Sequence, residues 1–358
     1  MRVYVFPADL HGCGHYRMIW PAKELIRRGH DVVLQLPNEG RDIQAVVEDD
    51  VVRDVMIPND ADVLVFQRVT HRFLAQAARI IRNKGVAVVI DMDDDLSRLD
   101  PTNPAFAVMH PKNEMRAHGE HTWRHAQLAC DSASHVTTST VLLQRRYARH
   151  GRGSVVHNAI HDAMFDTPHV DSDTFGYPGA VGTHYNDVME LGFSVAQLMR
   201  EGHQFVTIGE SLDLAHRLQL PRPADVELGP VTLKDWPTSL TRLGVGLAPL
   251  ADTQFNHAKS WLKPLELAAV GVPCVMSPRT EYRRIHDAGI GLLARNPREF
   301  HRKTQRLLTI PNLRRELSEQ GREVARRFTI SKTADIWWRA WTDAYYYEQN
   351  QSTRAVDR

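Results

Sequence analysis

The chain has 358 residues, enough for two hydrophobic cores, with ordinary globular fractions of 42% hydrophobic and 24% charged residues. A net charge of +1 gives no global basic field for nucleic acid, no stretch reaches the roughly 18–20 apolar residues of a membrane span, and nothing near Met1 reads as a secretory leader. Cys13, Cys130 and Cys274 are odd in number and far apart, which argues against a disulfide framework or a Cys-x-x-Cys zinc site and fits a reducing cytoplasm.

In chain order, an apolar strand at 2–6 runs into His11-Gly12-Cys13-Gly14-His15-Tyr16-Arg17, followed by a helix at 18–28. A glycine turn after a first strand lets backbone approach a ligand, and the helix start offers N–H groups to an anion. The motif reads equally as a plain strand-to-helix turn. Arg17 stands where the dinucleotide fingerprint has its third glycine, and no acidic residue clearly ends the second strand, which disfavours a nicotinamide dehydrogenase. Strands follow at 31–36, 63–67, 86–91, 136–139 and 154–157, with helices at 72–83, 118–130 and 140–150 between them.

The strand at 86–91 ends in Asp91-Met92-Asp93-Asp94-Asp95. Clustered carboxylates suit a divalent cation. Asp93-x-Asp95 also matches the metal–diphosphate motif of the single-domain GT-A glycosyltransferases. A loop facing the ligand and a set of helix-capping aspartates before Leu96 are the other readings. Of the 19 histidines, His15 and His110 are placed for a site, and no pair has convincing metal spacing.

A polar stretch at 163–177 reads as a linker. The second half repeats the alternation, with strands at 179–182, 204–209, 226–228, 245–249 and 273–277 and helices at 188–200, 236–243, 261–270, 297–308 and 311–328. The pattern gives two Rossmann-like halves with parallel sheets, 1–165 and 166–330. A last helix at 332–347, within 331–358, carries Trp337, Trp338, Trp341, Tyr345 and Tyr346 at helical spacing, a packing stripe rather than a ligand site.

The most informative segment is 255–275. Only eight of the 44 basic residues are lysines, and Lys259 and Lys263 stand four apart around the expected N-cap Ser260. Cations beside the positive end of a helix are unfavourable unless an anion is bound, so a diphosphate is expected there. Glu266, one turn on, is placed to accept from both hydroxyls of a ribose. A solvated charged face, with Lys263 and Glu266 as a local pair, is the alternative.

Phe255-Asn256, Lys259-Ser260, Lys263, Glu266 and Gly271-x-Pro273 together resemble the donor-binding signature of retaining GT-B glycosyltransferases of the family 4 kind. The likeness is to a bacterial and phage branch with the pattern F-N-x-x-K-S-x-x-K-x-x-E, then G-x-P. Gly12-x-Gly14-x-Tyr16-Arg17 with Gly29-His30, the acidic strand end, Val136-Thr137-Thr138-Ser139, Val155–Ile160 and Gly182-Thr183 resemble other parts of that branch in the same order, over about residues 1–330. The resemblance implies a GT-B fold, two facing domains with the C-terminal helix packing back toward the first.

It also implies transfer of a sugar from a nucleotide-sugar, with retention and without an obligatory metal or cofactor. Glu266 would bind the ribose, Lys259 and the backbone at Ser260 would meet the diphosphate, with Lys259 acting in catalysis, and Asn256 and Lys263 would belong to the donor site. Gly12, Gly14, Tyr16, Arg17, Gly182 and Thr183 would complete the donor site. The acidic run with Asp93 and Asp94 is read, from its place after a strand, as a loop that orients the acceptor hydroxyl or closes onto the other domain. The wider family has a second glutamate eight residues before the ribose glutamate, where this chain has Ala258. Its usual Arg and Lys after the first donor-domain strand are not evident in 181–191. The acceptor (glycan, lipid, protein or modified DNA) and the oligomeric state stay open. So do a GT-A enzyme using Asp93 and Asp95, a sugar-nucleotide epimerase, and a catalytically idle binding protein.

Overall fold

The computed structural model describes residues 1–37, 39, 43–109 and 122–356. The chain divides into two compact units. The first takes Met1–Leu99, Ala105–Asn158 and Ile330–Arg358, and the second takes Asp100–Pro104 and Ala159–Thr329.

In the first unit, strands β1 (Val3–Phe6), β2 (Val32–Leu34), the hairpin β3 (Gln44–Glu48) and β4 (Val51–Met56), β5 (Val63–Gln67), β6 (Ala87–Met92), β7 (His135–Thr138) and β8 (Gly153–Val155) follow one another. Six of them form a parallel sheet in the order β2-β1-β5-β6-β7-β8, with Val3 opposite both Val32 and Val63. β1, β5 and β6 are buried along their whole length, which explains their unbroken apolar runs. The helix Arg72–Asn83 buries Ala75, Ala78 and Ile81 at helical spacing and carries β4 on its surface.

The final helix, Ile330–Val356, belongs to this unit and packs on the helix Trp20–Arg27 and on β5, β6 and β7. Trp337 and Trp341 are fully buried against Val3, Val5, Met18 and Leu25, so the aromatic stripe is core.

The second unit has β9 (Phe175–Pro178), β10 (Phe205–Ile208), β11 (Val226–Leu228), β12 (Val245–Ala248), β13 (Cys274–Met276) and β14 (Leu292–Leu293). All are parallel, in the order β11-β10-β9-β12-β13-β14. Counted along the chain this is 3-2-1-4-5-6, the Rossmann order, with the strand order reversing between β9 and β12. Its core joins Phe175, Tyr177, Phe205, Leu247, Val275, Phe300 and Leu307. The helix Pro297–Thr309 starts where Asn296 accepts from Glu299 N at 3.0 Å with Pro297 in the first turn, both legible starts.

Several local expectations are corrected. The strand expected at 179–182 lies at Phe175–Pro178, overlapping the end of the stretch read as a linker. Gly176 and Pro178 dilute its apolar pattern, but Gly176 is required, because a Cβ there would stand 2.1 Å from Val206 O. The hairpin β3–β4 was not expected. Its turn uses Asp49 and Asp50 at φ 48° and 62°, a conformation aspartate tolerates without a glycine signal. The helix expected at 188–200 is interrupted by Gly192 at φ 47°, giving Tyr185–Met189 and Ser194–Arg200. The helix Thr280–Asp287 and β14 were also unforeseen. Residues 118–121 of the helix expected at 118–130 lie outside the described residues, and the rest appears as Thr122–Ser132.

Candidate functional site

In open parallel sheets, ligands bind beyond the carboxyl ends of the strands where the strand order reverses. In the second unit this point lies at the ends of β9 and β12, and the lysine segment converges on it. β12 ends at Ala248, the short helix Gln254–His257 is capped by Thr253, and Lys259 and Ser260 lead into the helix Leu262–Ala269. Ser260 is not the N-cap. The helix starts two residues later, with Trp261 at that position and no side-chain cap. Trp261 is instead buried with its ring edge-on to Phe328, so packing sets the helix start.

Lys263 lies in the first turn of that helix. Its Nζ donates to Tyr177 Oη at 3.3 Å and stands 4.4 Å from the centroid of the Tyr177 ring. Burial lowers its pKa to about 8, while Asp187 and Glu266 favour its charge and Lys259 opposes it. Gly179, directly after β9, has φ 154°, and a Cβ there would stand 3.0 Å from Lys263 Nζ, so the absent side chain makes room for the ammonium group. Lys259 Nζ lies 4.6 Å from the Phe255 ring centroid. Glu266 is buried, and Trp236 Nε1 donates to its Oε1 at 3.0 Å, fixing the carboxylate.

Asn256 is a buried structural link. Its Nδ2 donates to Asp187 Oδ1 at 2.5 Å and to Ala251 O at 3.1 Å. Asp187 also accepts from Ala251 N at 2.9 Å and pairs with His184 Nδ1 at 2.8 Å. Gly182 and exposed Thr183 form the turn after β9. Thr183 O accepts from Asn103 Nδ2 at 3.1 Å, and Asp100 accepts from Asn186 Nδ2 at 2.8 Å. Asp100, Asn103, Thr183, Asn186, Asp187 and Asn256 line an open pocket together with His184, Tyr185 and Phe255. Sequence reasoning missed His184 and Asp187, because a lone histidine in a polar turn carries no spacing signal.

In the first unit the order reverses between β1 and β5, where the glycine loop lies. Gln67, ending β5, holds it by accepting from Ala8 N and donating to Cys13 O, both at 3.1 Å. The helix expected from 18 begins earlier, with one α-turn at Gly12–Gly14 and a π-turn at His15–Ile19. Tyr16 is buried edge-on to Trp20. His15 rests its ring on Trp20, and His110 lies outside the described residues.

The two glycines differ. A Cβ on Gly14 would stand 1.9 Å from Asp9 O, while one on Gly12 meets nothing within 4 Å. Gly14→Ala is therefore expected to lose about 1–3 kcal/mol or more by overpacking, and Gly12→Ala to leave urea-denaturation stability nearly level.

Arg17 departs from its expected donor-facing role. It is fully buried, and its Nε and Nη2 donate to Asp91 at 3.0 and 2.6 Å. Its Nη1 donates to Val156 O and to Asn158 Oδ1 at 2.9 Å, and the guanidinium lies 4.5 Å from the centroid of the Trp337 ring. These partners take four of its five N–H donors within the core. Asp93 and Asp94 both accept from Arg68, the former in a two-pronged pair. Burial disfavours the Arg68 charge, but Asp93, Cys13 and Asp94 outweigh it and hold its pKa above the usual arginine value. Asp95 Oδ1 accepts from Ser97 N at 3.2 Å, a local cap. The acidic run is thus met by arginines and backbone. Among the described residues no group of three or more His, Cys, Asp or Glu is placed to hold a metal ion.

Residues 195–338 match the model of a family described as glycosyl transferase-like. Sucrose-phosphate synthase from Thermosynechococcus elongatus aligns over 97% of this chain and 100% of its own, at 12% identity and TM-score 0.62. An alpha-glucosyltransferase in complex with UDP-glucose and DNA containing an abasic site aligns over 96% and 99%, at 15% identity and TM-score 0.58. HepE from Anabaena, in complex with UDP, aligns over 96% and 100%, at 11% identity and TM-score 0.58. The chain has the two-sheet GT-B fold of these structures. No curated protein matches the sequence. Among the described residues no helix is long and apolar enough to cross a membrane.

Proposed function

We propose that the chain is a glycosyltransferase that moves a sugar from a nucleotide-sugar to an acceptor hydroxyl or amine, and that the second unit holds the donor. The observation that carries this reading is Lys263, an ammonium group desolvated at the strand-order reversal, with Lys259 near enough to depress its pKa further. Two cations gathered where they repel each other are stabilised by a diphosphate, whose charge grows as the glycosidic bond breaks. Glu266, held by Trp236, is assigned to the donor ribose, and Gly182, Thr183 and the backbone at Ser260 to the edge of the phosphate site. The acceptor side is assigned to the first unit, at Gly12 and the Asp93–Asp94 carboxylates. Retention and kinship with the family 4 bacterial and phage branch rest on the resemblance of the 255–275 segment. None of the three cysteines forms a disulfide, which supports a reducing, cytoplasmic setting.

A thermal-shift series with UDP-, GDP-, dTDP- and ADP-linked sugars tests the reading, since a ligand of the native state raises its stability. No shift with any of the four would overturn it, and epimerisation without an acceptor would replace transfer by a different reaction. Glu266→Gln is expected to stay folded and to weaken the donor found in that series about tenfold or more, as befits one or two charged hydrogen bonds of about 1.5–3 kcal/mol. Calorimetry reads this directly. Turnover in excess EDTA is expected to persist, because lysines neutralise the leaving group. Full loss restored by manganese would contradict this.

A further inference from the structure

The pocket of the second unit contains an acid–histidine pair, His184 and Asp187. Asp187 accepts three donors: Ala251 N–H, the Asn256 amide and the His184 ring at Nδ1. A carboxyl group accepting three hydrogen bonds is an anion. Burial works to raise the pKa of Asp187, but the bonds from His184 and Ala251 N–H and the charge of Lys263 hold it below the usual value. Because Asp187 can only accept, the ring proton of neutral His184 sits on Nδ1. Nε2 then carries a lone pair, and the ring lines the open pocket.

The groups facing His184 are few and of known sign. Asp187 comes from its own helix, Lys263 from the helix Leu262–Ala269 and Lys259 from the preceding loop. Asp100, on the pocket wall, is engaged by Asn186. Burial first, and then both lysines, disfavour a charge on the ring, against the pull of Asp187. An anion placed against the two lysines reverses their effect on the imidazole.

We propose that His184 is a switchable third cation of this site, neutral while the site is empty and protonated at Nε2 once a diphosphate lies against Lys259 and Lys263. The inference rests on the donor site proposed above. The incoming proton comes from solvent and stays on Nε2, which then donates to a phosphate oxygen. Asp187 fixes the ring so that Nε2, not Nδ1, meets the ligand.

Calorimetric titration of UDP into wild-type protein and His184→Gln at pH 7, in buffers of different ionisation enthalpy, counts the protons taken up. Wild type is expected to take up close to one proton more than the variant. At pH 7 Lys263, with its pKa of about 8, is already mostly charged and contributes little to that count. The affinity lost in His184→Gln is expected to be about tenfold at pH 6.5 and to shrink toward nothing by pH 8.5, where charging the ring costs more.

Equal proton counts in the two proteins would overturn the inference while leaving the donor site standing. Should the variant not fold, a wild-type uptake near zero at pH 7 overturns it equally. If UDP, GDP, dTDP and ADP all fail to bind the wild type, the donor reading itself has failed and takes the inference with it.

Discussion

Arg17→Ala is expected to cost about 3–5 kcal/mol of folding stability, because it leaves a buried carboxylate without its counter-ion. Arg17 and Asp91 are both fully buried and joined by two hydrogen bonds, with Thr137 Oγ1 donating to the same carboxylate at 2.7 Å. Removing the guanidinium also strips a donor from Val156 O and from Asn158, and uncovers the face of Trp337. Arg17→Met keeps more of the packing over Trp337 and separates the charge from the shape. Arg17→Met combined with Asp91→Asn is expected to recover part of the loss, since no buried charge is then left alone.

Urea denaturation of the four proteins reads the pattern. If Arg17 were a donor ligand, Arg17→Ala would hold wild-type stability and lose only nucleotide affinity. That result would reverse the structural reading.

Lys263→Met is expected to weaken the binding of a nucleoside diphosphate by about 10- to 100-fold at pH 7, the range of one or more charge-assisted hydrogen bonds of about 1.5–3 kcal/mol. Its pH dependence identifies the group. In the free protein Lys263 loses its proton near pH 8, and the charged form is the one that meets phosphate. Wild-type affinity is therefore expected to fall above pH 8, more steeply than that of Lys263→Met by about one power of ten per pH unit.

Stability moves the other way. The folded pKa of about 8 lies below the ordinary value of 10.5, so between these pH values the unfolded chain binds the extra proton and the fold gains stability as pH rises. Below pH 8 the folded protein bears the whole cost of the desolvated charge, and Lys263→Met is expected to be the more stable protein there. Binding titrations and urea curves at pH 6, 8 and 10 check both signs. Parallel affinity curves for the two proteins would remove Lys263 from the phosphate site.

Much of the fold was legible because its central strands are buried on both faces. β1, β5, β6 and β12 are short apolar runs with glycine, proline or charge at their ends, and β11 and the helix Arg72–Asn83 fall at the expected residues. What escaped was set by contacts distant in sequence. β9 looked like a linker because its glycine answers to the Val206 carbonyl on the neighbouring strand. Ser260 has the chemistry of a cap, but burial of Trp261 decides where the helix begins.

The site was legible where composition made residues rare. Two lysines in an arginine-rich chain stood out, and both lie at the strand-order reversal. Arg17 sits in a polar motif that gives no sign of burial, since its counter-ion Asp91 is 74 residues away. His184 gains meaning only through Asp187 and the lysines folded around it.

The last helix sets the timing of synthesis against the architecture. Trp337 and Trp341 close the same core as Val3 and Val5, and the whole of the second unit is encoded between them. As the chain leaves the ribosome, the first sheet stays without its covering helix until the whole of the second unit has been made, whereas the second unit has all its parts earlier. The part translated first is completed last. During that interval the uncovered faces of β5 and β6 depend on chaperones or on speed to stay unaggregated, so a stop codon just before Ile330 should yield insoluble protein rather than two working units.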